Sequence, residues 1–411
     1  MRPQLLFAAL CMLLAVAFSS CGPGPAPEGD RNELPSPAAG PVTVRVLISP
    51  GAVTDAEMSG TQGCKVSIDN REVARSHGPV PVTVRRRGDA WLIDGTLIRG
   101  SDAIIEPVSG GYLRLEPTAY RGSFRLVAAD DGRFYVTNHL DMESYLAGVL
   151  ACELYANWHD ETYQALAVAA RTFALYHVRN TGPGRAYDLG DDQGSQVYGG
   201  VARETDRSRR AVNATRGQVL AWVSGGRQRI FMTQYSAACG GHVNGARVLR
   251  NAPDLPPLNG GQVCNDCRDC GRYRWPNVRV AKSELYRALR ACYRAAGPLG
   301  GVKEVRVASS EPHGRAIWVD VIGTTGQSMR VRAEDIRLAL LRSGSNAGRG
   351  LFSMNCEIVD AGDAIEFRNG KGFGHGVGLC QWGAQGKAQR GWTSRQILSF
   401  YYPGASIVTL Y

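Results

Sequence analysis

The chain has 411 residues, 44% of them hydrophobic and 20% charged, which is enough length and apolar content for two or three cored domains and excludes a wholly disordered or fibrous protein. Its formal net charge of +10 is spread without a dense Lys/Arg block, so the surplus reads as a solvated surface. Acidic envelope polymers fit such a surface as partners, whereas no recognisable nucleic-acid module is present.

Met1 and Arg2, an apolar run from Leu5 to Phe18 and then Ser19-Ser20-Cys21-Gly22 predict a secretory signal over residues 1–20. The run is too short for a membrane span, and no later run is long and apolar enough for one. The Ser-Ser-Cys-Gly ending resembles a bacterial lipobox, which makes Cys21 the expected lipidated residue and predicts an exported protein of the cell envelope or periplasm, anchored to the membrane. Pro23, Pro25, Pro27, Pro35 and Pro37 stiffen a tether over residues 21–40.

Residues 41–139 read as β-rich: VTVRVLI, GCKVSI, VPVTVRRR, YLRLEP, SFRLVAA and RFYVTN are short, alternate or run apolar, and are broken by Gly, Pro and Asp. The pattern turns helical at Asp141, with Tyr145, Val149 and Cys152 on one stripe beside Leu146, Leu150 and Leu154. A second helix, ETYQALAVAARTFALYHVR, follows a turn at Tyr155 to His159. Further helices are predicted at Ser208 to Ala214, Ser283 to Ala296, Ala333 to Leu341 and Ala384 to Tyr401. Strands are predicted at Gly217 to Trp222, Ile230 to Tyr235, Val302 to Ala308 and Ala316 to Ile322. Without a regular βαβ rhythm, the fold class is α+β: a β-rich amino-terminal region followed by an α+β core over 140–411.

One carboxylate, Glu153, stands in the apolar segment YLAGVLACELYANW. Burial there would raise its pKa toward that of a general acid; periodicity alone favours instead a helix-face glutamate exposed to water or capping a neighbour. The run from Tyr145 to Glu153 and the run from Ala165 to Ala174, together with SQVYGGVARETDRSRRAVNATRGQVL, YSAACGGH and GHGVGLCQWGAQGKAQRGWTSRQILSFYYPG, resemble the SpoIID/LytB domain family, named for the stage II sporulation protein D and the amidase enhancer. The resemblance extends from about Pro41 to Tyr411 and is strongest from Asp141 onward. It implies a peptidoglycan lytic transglycosylase in which Glu153 serves as general acid and then base, giving anhydro-muramyl ends. The sugar's own 6-hydroxyl then replaces the second carboxylate of ordinary glycosidases. The same family also implies an alternative, a non-catalytic peptidoglycan-binding module that enhances a cell-wall amidase. The chain departs from the family pattern at Leu154-Tyr155, where Met-Pro is usual, and at His159, where Pro is usual; Asp160 then becomes the expected helix cap.

Removing Cys11 with the signal and Cys21 by lipidation leaves nine cysteines, an odd number that internal disulfides cannot exhaust. Cys239 and His242 in YSAACGGH, with Cys264 and Cys267 in CNDCRDC, have the spacing of a Cys3His zinc site, and the same residues fit disulfides in an oxidising compartment. No cofactor is required by the expected reaction, and any zinc is expected to be structural. The family's own zinc pattern precedes the Gln-Val-Tyr segment, where this chain has Gln193, Gly194 and Ser195 and no ligands. Cys152 or Cys380 with His375 makes a conceivable nucleophile pair, against which two structural cysteines are the simpler reading.

In GKGFGHGVGLCQWGAQ the glycines alternate from Gly372 to Gly378 without the Lys-Ser/Thr end of a phosphate loop. An extended strand would turn all four glycines to one face, leaving bare backbone against which either a neighbouring element or a ligand can lie. The family match makes Gly374, Gly376, His375 and Gln381 candidate substrate contacts, with Gln196 and Tyr198 of the Gln-Val-Tyr segment beside them. Trp382 suits either sugar stacking or the core.

Overall fold

The computed structural model describes residues 31–34, 40–192, 194–250 and 254–411. The expected signal, Cys21 and most of the tether lie outside the described residues, as does Gln193. Among the described residues no helix is long and apolar enough to cross a membrane.

Alternation in the β-rich region builds two antiparallel-dominated sheets. Seven strands pair in the order Leu189–Gly190, Thr43–Leu47, Phe134–Asp141, Ser123–Ala128, Ala103–Pro107, Cys64–Ile68 and Arg71–Arg75. Six pair in the order Thr118–Tyr120, Leu113–Leu115, Asp55–Gly60, Val82–Arg87, Ala90–Ile93 and Thr96–Arg99. Val44, Val46, Val136, Val82 and Val84 are all buried, as the period of two requires. The sheets meet where Trp91 of one packs edge-on against Phe134 of the other, ring centroids 5.4 Å apart.

Strand Phe134–Asp141 runs straight into helix Met142–Glu153, because Asp141 keeps extended backbone angles while its carboxylate accepts the N–H groups of Glu143 and Ser144 at 3.1 and 3.0 Å. The helix must approach its neighbour closely: a Cβ at Gly148 would stand 2.8 Å from the Tyr198 ring. The second helix is Asp160–Asn180, and its cap is His159, whose Nδ1 accepts the Glu161 N–H at 3.2 Å. The expected cap, Asp160, is instead the first helical residue, where its charge faces the positive end of the helix.

These two helices are locked by a buried ion pair. The Arg171 guanidinium, 1% exposed, grips Glu143 through Nε to Oε1 at 3.0 Å and Nη2 to Oε2 at 2.5 Å. It also donates to the Gln218 carbonyl at 3.0 Å, while Glu143 accepts the Tyr411 hydroxyl at 2.7 Å and the Gly217 N–H at 3.3 Å. One pair thus joins both helices, the turn before strand Gln218–Ser224 and the last residue of the chain.

Residue 139 lies inside strand Phe134–Asp141, and one apolar core runs from Val44 to Leu410 across it. A second core, with Val280, Leu285, Val319, Ile336 and Phe367, belongs to the segment between Tyr235–Ser236 and Leu379–Cys380. It contains helices Lys282–Cys292 and Ala333–Arg342 and two three-stranded sheets. The chain returns from this insertion in parallel register, Tyr235 opposite Leu379 and Ser236 opposite Cys380. The closing helical stretch is two helices, Gln381–Gln389 and Ser394–Tyr401, the second opened by a capping box between Thr393 and Gln396.

Arg171→Met removes the guanidinium and leaves Glu143 ionised in an apolar interior. A loss of about 3–5 kcal/mol is expected, measured as a lower urea midpoint with an unchanged slope. A loss below about 1 kcal/mol, the range of an exposed pair, would mean that the pair does not hold these elements together.

Candidate functional site

Glu153 is the last residue of helix Met142–Glu153, so its carboxylate sits at the negative end of the helix dipole and is partly shielded from water. Burial raises its pKa above the ordinary carboxylate value, opposed by hydrogen bonds from the Gln381 amide, the Val197 N–H and the Tyr235 phenol. Gln381 Nε2 donates to Glu153 Oε2 at 2.9 Å, a contact between residues 228 positions apart. None of the strongest influences on Glu153 is a second carboxylate.

Behind Glu153 lies a ladder of neutral polar groups. Tyr145 donates its hydroxyl to Gln196 Oε1 at 3.1 Å, and Gln196 Nε2 donates to the Tyr235 hydroxyl at 3.0 Å. Burial holds both phenols far above their ordinary pKa, so they stay protonated and present dipoles rather than charge. The residues next along the chain from Glu153 and Gln381 form an aromatic cluster: Trp382 packs edge-on against Trp158 at 5.0 Å and Tyr155 at 5.7 Å. Tyr155 is 60% exposed, and a cleft lined by Asn157, Trp158, Asp266, Asp269, Trp382 and Gln385 opens beside it. Flat apolar rings with polar groups at their edges suit a sugar chain.

The sequence-predicted contacts divide. Gln381 reaches Glu153. Gln196 and Tyr198 do not face the groove: both are buried, Gln196 between the two phenols and Tyr198 with its hydroxyl donated to Asn138 Oδ1 at 3.1 Å. His375 is likewise occupied, its Nδ1 accepting the Val377 N–H at 3.0 Å and its ring bonded to the Tyr235 main-chain carbonyl. Burial pushes the imidazole down to about 4, leaving it neutral and bracing Tyr235. Among the described residues no hydrogen bond links His375 to Cys152 or Cys380, and Cys152 lies instead beside Gly199 and Arg203.

The glycines differ from the extended reading. Gly372, Gly374, Gly376 and Gly378 all have positive φ, between 67° and 91°. Their missing side chains make room for protein, not for a ligand. A Cβ on Gly376 would fall 2.2 Å from Asn244 Nδ2, one on Gly374 3.0 Å from Ser236 Cβ, and one on Gly378 2.0 Å from the Gln234 carbonyl. The motif is therefore a backbone packed tightly along residues 234–244, and this packing places Gln381 and Tyr235 side by side. Tyr235 and Trp158 are the site residues that sequence reasoning missed; Tyr235 opens the quoted motif YSAACGGH, but only the parallel register with Leu379 brings it to Glu153.

The cysteine cluster forms with one change of member. The sulfurs of Cys239, Cys264, Cys267 and Cys380 lie within 4.8 Å of one another, all buried. His242, the expected fourth ligand, turns away and stacks on His313 with ring centroids 4.8 Å apart, because its segment pairs with Val263 on the far side of the turn. Gly194 and Ser195 carry no side chain with the donors of the family's other zinc pattern.

Comparison with known proteins agrees with this layout. Residues 130–222, which contain Glu153 and both helices, match the model of the SpoIID family, described as stage II sporulation protein. The chain is 31% identical to an uncharacterised protein of Brachyspira hyodysenteriae over 70% of its own length and 72% of the relative's. It is 28% identical to the stage II sporulation protein D of Bacillus subtilis over 66% of this chain and 75% of that protein. It is 25% identical to the amidase enhancer of the same organism, covering 64% of this chain but only 40% of that relative. With motif order, fold and relatives in agreement, the chain belongs to the SpoIID/LytB family.

Proposed function

We propose that this protein cleaves the glycan strands of peptidoglycan as a lytic transglycosylase, with Glu153 as the single acid and base. The family and the names of the relatives support a role at the cell wall; the reaction is inferred from the site. The observation that carries it is a half-buried carboxyl whose pKa is raised by burial and which Gln381 holds by a hydrogen bond of 2.9 Å.

The protonated Glu153 carboxyl donates to the glycosidic oxygen as the bond to the anomeric carbon breaks. The carboxylate left behind takes the proton from the muramyl 6-hydroxyl as that oxygen closes on the anomeric carbon. An anhydro ring forms, no water is consumed and Glu153 returns to its protonated state. Gln381 stabilises the charged half of this cycle through its N–H donor. The neutral Tyr235, itself aligned by Gln196, does the same without adding charge. Tyr155 and Trp382, backed by the buried Trp158, provide faces for sugar rings. Lipidation of Cys21, with the proline tether, would keep the enzyme at an envelope membrane beside its substrate.

Incubation with intact and peptide-stripped glycan strands is expected to yield anhydro-muramyl ends by mass spectrometry. Glu153→Gln is expected to lower their formation by about 10²–10⁴-fold. An unmodified chain that forms none on either substrate would overturn the reading. The amidase enhancer among the relatives favours a second reading, in which the groove binds glycan and stimulates a separate amidase; glycan binding and stimulation intact in Glu153→Gln, with no anhydro product from the parent, is its signature.

The rate also reports protonation. The essential acid must be protonated in the free enzyme, so kcat/KM falls above the raised pKa of Glu153. Gln381→Leu removes a donor that favours the carboxylate and is expected to move that descending limb to higher pH, read from a pH profile of kcat/KM.

Stability has the corresponding sign. Because the folded pKa of Glu153 lies above its unfolded value of roughly 4.3, ionisation penalises the folded state. Glu153→Gln escapes this penalty. The variant's melting temperature is expected to rise relative to the parent as pH increases through that range, and the gain to level off above the raised pKa. A parent that gains on the variant over the same interval would contradict a raised pKa.

A further inference from the structure

Four cysteines that the mechanism does not use converge behind the groove wall. Cys239 and Cys267 hold their sulfurs 3.7 Å apart, and with Cys264 and Cys380 all four sulfurs lie within 4.8 Å. A cation bound by thiolates at about 2.3 Å in a tetrahedron needs sulfur–sulfur edges of about 3.8 Å, whereas a disulfide needs about 2.05 Å.

The surroundings suit a charged thiolate cluster. The N–H groups of Cys239 and Gly383 reach the Cys380 sulfur at 3.2 and 3.3 Å, and the Tyr401 hydroxyl lies 3.2 Å from the Cys264 sulfur. Such bonds orient thiolate ligands and offset their excess negative charge. Lys387, paired with Asp266 at 2.8 Å, adds a cation beside them. Gly383 is required by this arrangement, since a Cβ there would stand 2.6 Å from the Cys264 sulfur. Cys270 remains apart, its sulfur accepting the Arg272 N–H at 3.4 Å.

The geometry points to a closed zinc site made by Cys239, Cys264, Cys267 and Cys380 that fixes the Gln381 side of the groove. Binding exchanges up to four thiol protons for one divalent cation, with no change of oxidation state. Four protein sulfurs leave no open position, so the ion is structural and takes no part in bond cleavage. Its lever is Cys380, which stands immediately before Gln381 and caps the helix Gln381–Gln389 through its sulfur. The ion thereby ties together the loop at Cys239, the turn at Cys264 to Cys267 and the helix that carries the partner of Glu153. This goes beyond glycan cleavage, and its test does not depend on that activity.

The full chain, purified anaerobically and exposed to zinc alone, is expected to hold about one zinc per chain by elemental mass spectrometry. Cobalt exchanged into the site is expected to give the strong visible bands of a tetrahedral thiolate complex. Cys380→Ser is expected to reduce bound zinc at least about tenfold, whereas His242→Ala and Cys270→Ser keep it. If Cys380→Ser does not fold, titration of the unmodified chain with a mercurial decides: four thiols blocked per zinc released supports the site. Disulfides among these four residues, no zinc bound, or zinc lost in His242→Ala and kept in Cys380→Ser would overturn it.

Discussion

A carboxylate and a guanidinium removed from water together can rest in only a few geometries, and the pair between Glu143 and Arg171 rests in a two-pronged one. Its remaining lone pairs and donors go to Tyr411, Gly217 and Gln218, so the interior tolerates both charges only when the two helices, the following turn and the chain end are all in place. The first helix then has no freedom to slide or roll. Glu153, ten residues beyond Glu143 on that helix, is aimed by the same constraint, with Asp141 setting where the helix starts and Leu154 where it stops.

The opposite wall of the groove is held by backbone packing. Parallel pairing of Tyr235–Ser236 with Leu379–Cys380, continued by the glycines from Gly372 to Gly378, brings two segments together across an insertion that has its own core. The glycines contribute by what a side chain would obstruct, the carbonyls and side chains of residues 234–244. The polar groups that result are buried and satisfied in series, Tyr145 to Gln196 to Tyr235, a neutral ladder beside the titrating carboxyl of Glu153. A raised pKa there is a cost to the folded state that the rest of the structure offsets, as expected at a site built for proton transfer.

Local pattern was a good guide wherever the physics is local. Strand alternation before Asn138, the helix beginning after Asp141 and the mixed α+β class all follow from short-range periodicity. Glu153 stood out as the one carboxylate in the apolar segment YLAGVLACELYANW. Pattern was a poor guide to which side of a residue meets solvent. Gln196 and Tyr198 look like polar binding residues in sequence, yet they are buried partners of Tyr145, Tyr235 and Asn138. The glycine run looks extended, yet Gly372, Gly374, Gly376 and Gly378 all sit at positive φ, and the segment packed against them leaves no room for a Cβ.

The amino-acid sequence alone determined the element types and the family motifs that single out Glu153, because capping and periodicity act over a few residues. Tertiary structure decided the company each group keeps. Gln381 meets Glu153 across 228 positions, and Cys380 takes the place in the cluster that spacing had assigned to His242. Spacing counts residues along the chain, whereas a hydrogen bond or a ligand set depends on distances in space, and here a parallel register brings together the two segments that flank the insertion.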